Sequence, residues 1–171
     1  MLRYDVFDTA WGPFATMFSR EGLKATLLPD AYGADFDATV AIRWPGATYA
    51  PGVAGRLRRR IQRYFEGQRV AFDVALDLSD MTCFRQSVLE ACHRVPYGRI
   101  ASYRDLARAA GRPDAMRAVG STMAHNPLPL IVPCHRVICA DGTLGGFSSR
   151  DGVAMKLRML ELEGTTLPAM A

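Results

Sequence analysis

Short runs of β-forming residues, separated by turns that contain Gly or Pro, make up the first part of the chain. This pattern predicts an antiparallel sheet with strands at residues 4–9, 14–19 and 23–28. A further short strand is predicted at 39–44, and the alternation of apolar and polar residues predicts a half-buried strand at 70–76. The first part of the chain is therefore expected to be an α/β region built on an antiparallel sheet.

Helical spacing of apolar residues first occurs at 53–66, which predicts an amphipathic helix capped by Gly67. Its apolar face consists of Val53, Leu57, Ile61, Tyr64 and Phe65. The opposite face is mostly arginine, namely Arg56, Arg58, Arg59, Arg60 and Arg63. We interpret this arginine face as solvated, and a contact with nucleic acid is the alternative.

The pattern becomes helical after residue 80. One helix is predicted at 82–95, and residues 102–105 form a capping box that starts a second helix, which ends at Gly111. A third helix is predicted at 113–125, because a Pro suits its first turn. Its apolar stripe consists of Met116, Val119, Gly120 and Met123. Two short helices joined by a turn that contains Gly predict a helix-turn-helix.

This change of pattern divides the chain into two predicted domains, 1–78 and 79–171. The chain has 171 residues, of which 49% are hydrophobic, so both parts can bury a core. The predicted fold class is α+β. An N-terminal α/β domain on an antiparallel sheet precedes a mainly helical, winged-helix-like domain that contains the helix-turn-helix.

Positive charge is concentrated in one segment. Between Thr82 and Arg136, eight Arg stand against three acidic residues, a local net charge of +5, compared with +4 for the whole chain. Guanidinium groups match phosphate geometry, so this segment indicates a polyanionic partner. No apolar run approaches the ~20 residues that span a bilayer, and no signal peptide is evident at the N-terminus. We therefore expect a cytoplasmic protein that does not contact membranes.

The most distinctive stretch surrounds Cys134. The apolar run before it, 130–132, is typical of a buried strand, and burial raises the pKa of a thiol. His135 and the guanidinium after it can promote the thiolate, so we interpret Cys134 as a reactive, shielded cysteine. The alternative is an inert core thiol. The four cysteines have no metal-binding spacing, so no metal site is expected, and Cys83 and Cys92 are interpreted as buried hydrophobic residues.

Five short stretches follow one another in the second half of the chain: VPYGRIASY (95–103), RAVG (117–120), NPLP (126–129), IVPCHRV (131–137) and ELEG (161–164). In combination they resemble the O6-alkylguanine-DNA alkyltransferases, also called methylated-DNA–protein cysteine methyltransferases. The PCHRV core is the most specific of these matches, and the N-terminal half matches only in general layout. The resemblance implies a DNA repair protein that transfers the alkyl group irreversibly to its own cysteine and acts once, without a cofactor.

The resemblance also implies five catalytic roles. Cys134 is expected to be the nucleophile that takes the alkyl group, with His135 as its base through a water and Glu163 orienting the imidazole. Asn126 is expected to brace the loop between the two helices and the active site. Tyr103 is expected to offer a proton to the departing guanine, which is a poor leaving group unless it is protonated.

On the DNA side, the resemblance implies that the helix-turn-helix lies in the minor groove of duplex DNA that contains O6-alkylguanine. Arg117 is expected to fill the space left by the flipped-out base, and Ala118 and Met123 are expected to lie against the groove. The protein is expected to be a monomer, acting alone or clustering cooperatively on DNA.

The flipped base is expected to be recognised by the backbone of Cys134 and Val137. A lid at 142–148 is expected to cover it, with Gly145, Phe147 and Ser148 at the base and Ser148 near its O6 oxygen. Phe147 departs from the family, because relatives often have Tyr there.

A second departure is a segment around 149–152 that is about two residues longer than in relatives, which leaves Glu161 as an alternative to Glu163.

Three other functions are alternatives to alkyl transfer. The first is a non-enzymatic lesion sensor of this fold, but such sensors lack the cysteine. The second is a helix-turn-helix regulator, which would not need the Cys-His pair. The third is a cysteine hydrolase, which needs an oxyanion hole, and the sequence has no signal for one.

Overall fold

The computed structural model of the chain describes residues 1–29, 36–149 and 151–167. The chain divides into two units, Met1–Asp77 and Leu78–Ala171. The boundary inferred from sequence, after residue 78, lies next to this division. That the two parts are separate domains stays a prediction.

A four-stranded sheet forms the centre of the first unit. Its strands are β1 (Arg3–Thr9), β2 (Gly12–Phe18), β3 (Leu23–Leu27) and β4 (Thr48–Tyr49). The strand order is β3-β2-β1-β4, with antiparallel pairing between the first three strands and parallel pairing between β1 and β4. The three strands predicted at 4–9, 14–19 and 23–28 are thus confirmed.

The described residues of the first unit also form two helices, α1 (Phe36–Arg43) and α2 (Gly55–Phe65). Val40 of α1 belongs to an apolar cluster with Ala15 of β2. Phe65 of α2 instead lies against Phe14, with 6.0 Å between the ring centroids. Because successive strand residues point to opposite faces, the two helices cover opposite faces of the sheet. The helix predicted at 53–66 is confirmed, and the Gly67 N–H caps it by donating to Tyr64 O.

Two strand predictions in this unit are wrong. Residues 39–43 belong to α1, where Phe36 and Val40 are buried one helical turn apart, so burial follows helical spacing. Residues 70–76 do alternate between half-buried and exposed, but they make only an isolated bridge, between Leu76 and Leu23. The alternation of apolar and polar residues indicates which side chains are covered. A strand also needs a neighbouring strand to hydrogen-bond with, and the sequence pattern does not show whether there is one.

The second unit is mainly helical. Its helices are α3 (Cys83–His93), α4 (Tyr103–Ala109), α5 (Met116–Ala124) and α6 (Val153–Leu162), and its small parallel sheet pairs β5 (Ala101–Ser102) with β6 (Val137–Ile138). The capping box is confirmed, because Ser102 Oγ accepts from the Asp105 N–H and Ser102 N–H donates to the Asp105 carboxylate. Helices α4 and α5, joined by a turn at Gly111, confirm the predicted helix-turn-helix and the α+β fold class.

Some details of the second unit differ from the predictions. Helix α5 begins at Met116 and not at residue 113, and the Met116 side chain is 40% exposed, so it is not part of the buried stripe. The run 130–132 is a turn and not a strand. Cys83 is exposed at the start of α3, whereas Cys92 is buried as predicted. Among the described residues, no helix has both the length and the apolarity to cross a bilayer.

Candidate active site

Cys134 lies in the wall of a cavity in the second unit. It begins a single 3₁₀ turn, Cys134–Arg136, and is 7% exposed. The cavity has a volume of about 330 Å³ and is lined by Tyr103, Gly120, Met123, Ala124, Cys134, Gly146, Phe147 and Ser148. A cavity of this size is within the ~300–1,000 Å³ range of small-molecule sites. Among the described residues, Cys134 is the only cysteine that lines this cavity, so a ligand in the cavity would contact the thiol.

Asn126 holds the loop that leads to Cys134. Its side-chain amide donates to Val132 O at 2.8 Å, and its oxygen accepts from the Leu128 N–H at 3.0 Å. Between these two contacts the buried residue Leu130 has φ +75°, a conformation that costs free energy in a residue with a side chain. The two hydrogen bonds of Asn126 thus stabilise a tight turn directly before the cysteine.

His135 is completely buried and meets a carboxylate. Its Nε2 lies 2.7 Å from Glu163 Oε1, and both side chains are fully enclosed. Glu161, the alternative partner considered from the sequence, is exposed. Burial would raise the pKa of Glu163, but the hydrogen bonds and charges of His135 and Arg136 lower it to about 2. This carboxylate is therefore ionised throughout the neutral range.

The sequence had suggested that the guanidinium next to His135 promotes the thiolate. The guanidinium of Arg136 does not have this role in the structure. Its Nε and Nη2 donate to the Glu163 carboxylate at 2.9 Å, and Nη1 donates to Val95 O at 2.6 Å. The backbone N–H of Gly98 donates to the same carboxylate at 3.0 Å. Glu163 therefore connects His135 to a fixed set of donors.

The resting site is a thiol beside a neutral imidazole. Burial raises the pKa of Cys134, although a hydrogen bond from Asn126 and the charge of Lys156 act in the opposite direction. Burial also lowers the pKa of His135, and this outweighs the attraction of Glu163 for the imidazolium. A neutral imidazole can accept a proton, so His135 is chemically suited to act as a base.

Lys156 is a site residue that the sequence analysis missed. It lies on α6 with no exposed surface, and its Nζ donates to Val137 O at 2.6 Å and to Leu144 O. Its ammonium lowers the pKa of Cys134, while burial lowers the pKa of Lys156 itself. One signal could have identified it, because Lys156 stands among Met155, Met159 and Leu160 on the buried face of α6.

The lid side of the cavity involves three of the expected residues. Ser148 Oγ donates to Ala124 O at the end of α5 at 2.5 Å, and Phe147 lines the cavity. Gly145 has φ +67°, and a Cβ there would lie 3.0 Å from Tyr103 Oη. Burial raises the pKa of Tyr103, which therefore keeps its proton at neutral pH.

Of the remaining expected residues, only Met123 lines the described cavity. Val137 is buried outside the lining, and its carbonyl accepts from Lys156. Arg117 and Ala118 are exposed near the start of α5 and are not in the cavity lining. Among the described residues, no three His, Cys, Asp or Glu side chains are grouped as metal ligands.

Comparison with known proteins shows which family the chain resembles. Residues 83–165 match the family model of the 6-O-methylguanine DNA methyltransferase DNA-binding domain. The methylated-DNA–protein-cysteine methyltransferase of Methanosarcina acetivorans is 43% identical over 163 residues, which cover 95% of this chain and 98% of the relative. The protein of that name in Mycobacterium tuberculosis H37Rv is 44% identical over 119 residues, 70% of each chain.

Solved structures extend the similarity to the fold. The crystal structure of the M. tuberculosis O6-methylguanine methyltransferase is similar with a TM-score of 0.80 and 35% identity, covering 99% of this chain and 96% of the other. That of the M. tuberculosis OGT in complex with DNA also gives a TM-score of 0.80, with 34% identity and coverage of 95% and 93%. Similarity of sequence and fold over nearly the whole length shows that this chain belongs to the methylated-DNA–protein-cysteine methyltransferases.

Proposed function

We propose that this protein repairs O6-alkylguanine in duplex DNA by transferring the alkyl group to Sγ of Cys134. The observation that carries the proposal is a cysteine in the wall of a cavity of about 330 Å³, followed directly by a buried histidine that meets a carboxylate at 2.7 Å. A nucleophile, a base and a group that orients the base are the parts that an activated thiol needs.

In the proposed reaction, the bond from Cys134 Sγ to the alkyl carbon forms as the bond from that carbon to O6 breaks. His135 takes the thiol proton through a water molecule, and the adjacent Glu163 stabilises the imidazolium. Tyr103 gives a proton to the departing guanine and regains one from the imidazolium by way of solvent. The products are guanine in DNA and a thioether on Cys134.

The thioether is the end of the reaction for each molecule. A carbon–sulfur bond of this kind is not hydrolysed by water, and the cavity lining provides no second thiol among the described residues. The hydroxyl groups of Tyr103 and Ser148 cannot displace a thiolate from a thioether. We therefore propose one transfer per protein molecule.

The base enters the cavity only after it leaves the stack, which costs a few kcal/mol and least where pairing is already damaged. We propose that Arg117, exposed in the first turn of α5, fills the vacated position, and that the exposed Ala118 faces the minor groove. Met123 was also expected to face the groove, but it is buried and lines the cavity, so we propose that it contacts the flipped base instead. Phe147 and Ser148 would cover the base, with Gly145 packed on Tyr103. The backbone of Cys134 and Val137 would hydrogen-bond to the edge of the flipped base. Action as a monomer and a cytoplasmic location stay predictions.

The test is the intact mass of the protein after incubation with a duplex that carries one O6-methylguanine, followed by peptide mapping. We expect a gain of one methyl group, saturating at one per protein molecule and located on Cys134. Cys134→Ala should abolish the gain and retain DNA binding. An unchanged mass despite tight binding to the lesion duplex would refute transfer and favour a lesion sensor.

A further inference from the structure

Helix α2 of the first unit carries an exposed row of arginines that the proposed reaction does not use. The arginine row consists of Arg56, Arg59, Arg60 and Arg63. These positions have the spacing i, i+3, i+4 and i+7, which places them on one face of a helix. Arg56, Arg59 and Arg63 are exposed, and Arg60 is half-buried. A single surface of the unit is therefore lined with guanidinium groups.

The guanidinium groups of the row are held to different degrees. Arg60 donates to Ala71 O at 3.2 Å, and Arg63 donates to the side chain of Gln68 at 2.6 Å. Arg56 and Arg59 are at the exposed start of the row. The row extends over about 10 Å of helix axis, and duplex DNA has a phosphate every ~3.4 Å along each strand. Its length therefore suits two or three phosphates.

Charge in the first unit is strongly segregated. The segment 56–69 contains six arginines and one acidic residue, Glu66, for a net charge of +5. The rest of 1–77 contains four cations and eight acidic residues, a net charge of −4. The overall charge of this unit is close to zero, so its positive charge is a local feature. A polyanion is the partner that such a surface attracts.

We propose that the arginine row of α2 binds the phosphate backbone of duplex DNA, as a contact separate from the helix-turn-helix. The identity of the polyanion as DNA rests on the proposed function. Arginine suits this role because its planar guanidinium binds two phosphate oxygens at once. The helical pattern by itself favoured a solvated face. The exposure of Arg56, Arg59 and Arg63 on one face of α2, together with the concentration of positive charge at 56–69, favours a contact.

The burial of the other face of α2 argues against an anionic membrane as the partner. A helix that binds a membrane surface inserts its apolar side chains between the lipids. The apolar residues of α2 are instead buried in the unit, namely Leu57, Ile61, Tyr64 and Phe65, each at most 6% exposed. Only the charged face is available, which suits a backbone of phosphates.

The first test compares two matched double variants. Arg56→Gln with Arg59→Gln removes two charges from the row, and Arg3→Gln with Arg20→Gln removes two exposed charges elsewhere in the same unit. Binding of unmodified duplex DNA is measured as a function of salt concentration. We expect the row variant to bind about tenfold more weakly and to lose about 2 from the slope of log affinity against log salt, at ~0.9 for each phosphate contact. The control should keep the parent slope.

Equal slopes for the row variant and the parent would overturn the proposal, and so would an equal loss in both double variants, which would indicate a general effect of charge. Transfer from free O6-methylguanine base, which has no phosphate, should proceed at the parent rate in both variants. The two proposals are tested by different measurements. Failure of the parent protein to take up a methyl group would refute the proposed function, whereas the salt dependence of duplex binding tests the contact made by the arginine row.

A second test needs no variant. Phenylglyoxal modifies accessible arginines, and peptide mapping reports the extent at each one. We expect duplex DNA to protect Arg56 and Arg59 and to leave Arg3 and Arg20 unprotected. Equal modification of Arg56 and Arg59 with and without DNA would contradict the contact even if the variants bind weakly for another reason.

Discussion

His135 Nε2 lies 2.7 Å from Glu163 Oε1, with both side chains fully enclosed. The ionised carboxylate can only accept, so the imidazole donates from Nε2 and its other nitrogen, Nδ1, is the one that can accept a proton. Arg136 donates to the same carboxylate at 2.9 Å and keeps it ionised. Glu163 thus sets both the orientation and the tautomer of His135.

Glu163→Gln should therefore slow transfer and weaken the fold. The carboxamide keeps the size of the side chain but leaves the buried Arg136 without its counter-charge, which costs about 3 kcal/mol. Loss of the oriented base should lower the single-turnover rate of methyl transfer by about 100-fold. The rate is measured by mass spectrometry and the stability by urea unfolding.

The matched control is Glu161→Gln, an exposed carboxylate two positions earlier. It should leave both the transfer rate and the free energy of unfolding unchanged. If the two variants transferred methyl equally fast, the assignment of Glu163 to His135 would be wrong.

Local signals explain what the sequence could predict. The hairpins of the first unit follow from turn residues between strand-like runs, and the capping box of α4 requires only Ser102 and Asp105, three positions apart. For the site, the resemblance identified Cys134, His135, Glu163 and others by position along the chain. The structure brings these three close together, and their roles remain proposals.

Contacts between distant residues explain what the sequence could not predict. The isolated bridge between Leu76 and Leu23 depends on how two separate segments meet, and no local pattern encodes it. Lys156 is near the thiol only because α6 packs beside the turn at Cys134. Sequence adjacency was also misleading, since Arg136 follows His135 directly but binds Glu163.

Acid should destabilise the protein in two steps. Burial lowers the pKa of His135, so below about pH 6.5 the unfolded chain takes up a proton that the folded chain does not. The pKa of Glu163 is about 2 in the folded state, so a second loss occurs between about pH 4.3 and 2. In both windows protons bind preferentially to the unfolded chain, so the free energy of unfolding falls as the pH falls.

The first step can be assigned with a variant. His135→Gln should flatten the decrease in unfolding free energy between pH 7 and 5, measured by urea unfolding, whatever its effect on absolute stability. His125→Gln, at an exposed histidine that ends α5, should keep the parent slope. A parent-like slope in His135→Gln would show that another group causes the first step.

Lys156→Met should make the cysteine less reactive. The substitution keeps an unbranched side chain but removes the ammonium that lowers the pKa of Cys134. We expect about tenfold slower alkylation of the thiol by iodoacetamide at pH 7, with recovery at higher pH. Arg158→Met removes an exposed charge from the same helix and should have no such effect. A pH profile of Lys156→Met that coincides with that of the parent would mean that Lys156 only packs.

Gly145→Ala should disturb the wall of the cavity at Tyr103. A Cβ at Gly145 would lie 3.0 Å from Tyr103 Oη, and φ +67° disfavours a side chain by about 1–2 kcal/mol. We expect this loss of stability in urea unfolding together with slower methyl transfer from DNA, because the displaced Tyr103 cannot protonate the leaving base. Gly46→Ala is the matched control, since φ +85° there disfavours a side chain in the same way, but a Cβ would meet nothing within 4 Å and the residue is not in the cavity lining. It should lose a similar amount of stability and transfer methyl at the parent rate. Equally slow transfer in the two variants would mean that the approach of Gly145 to Tyr103 has no special importance.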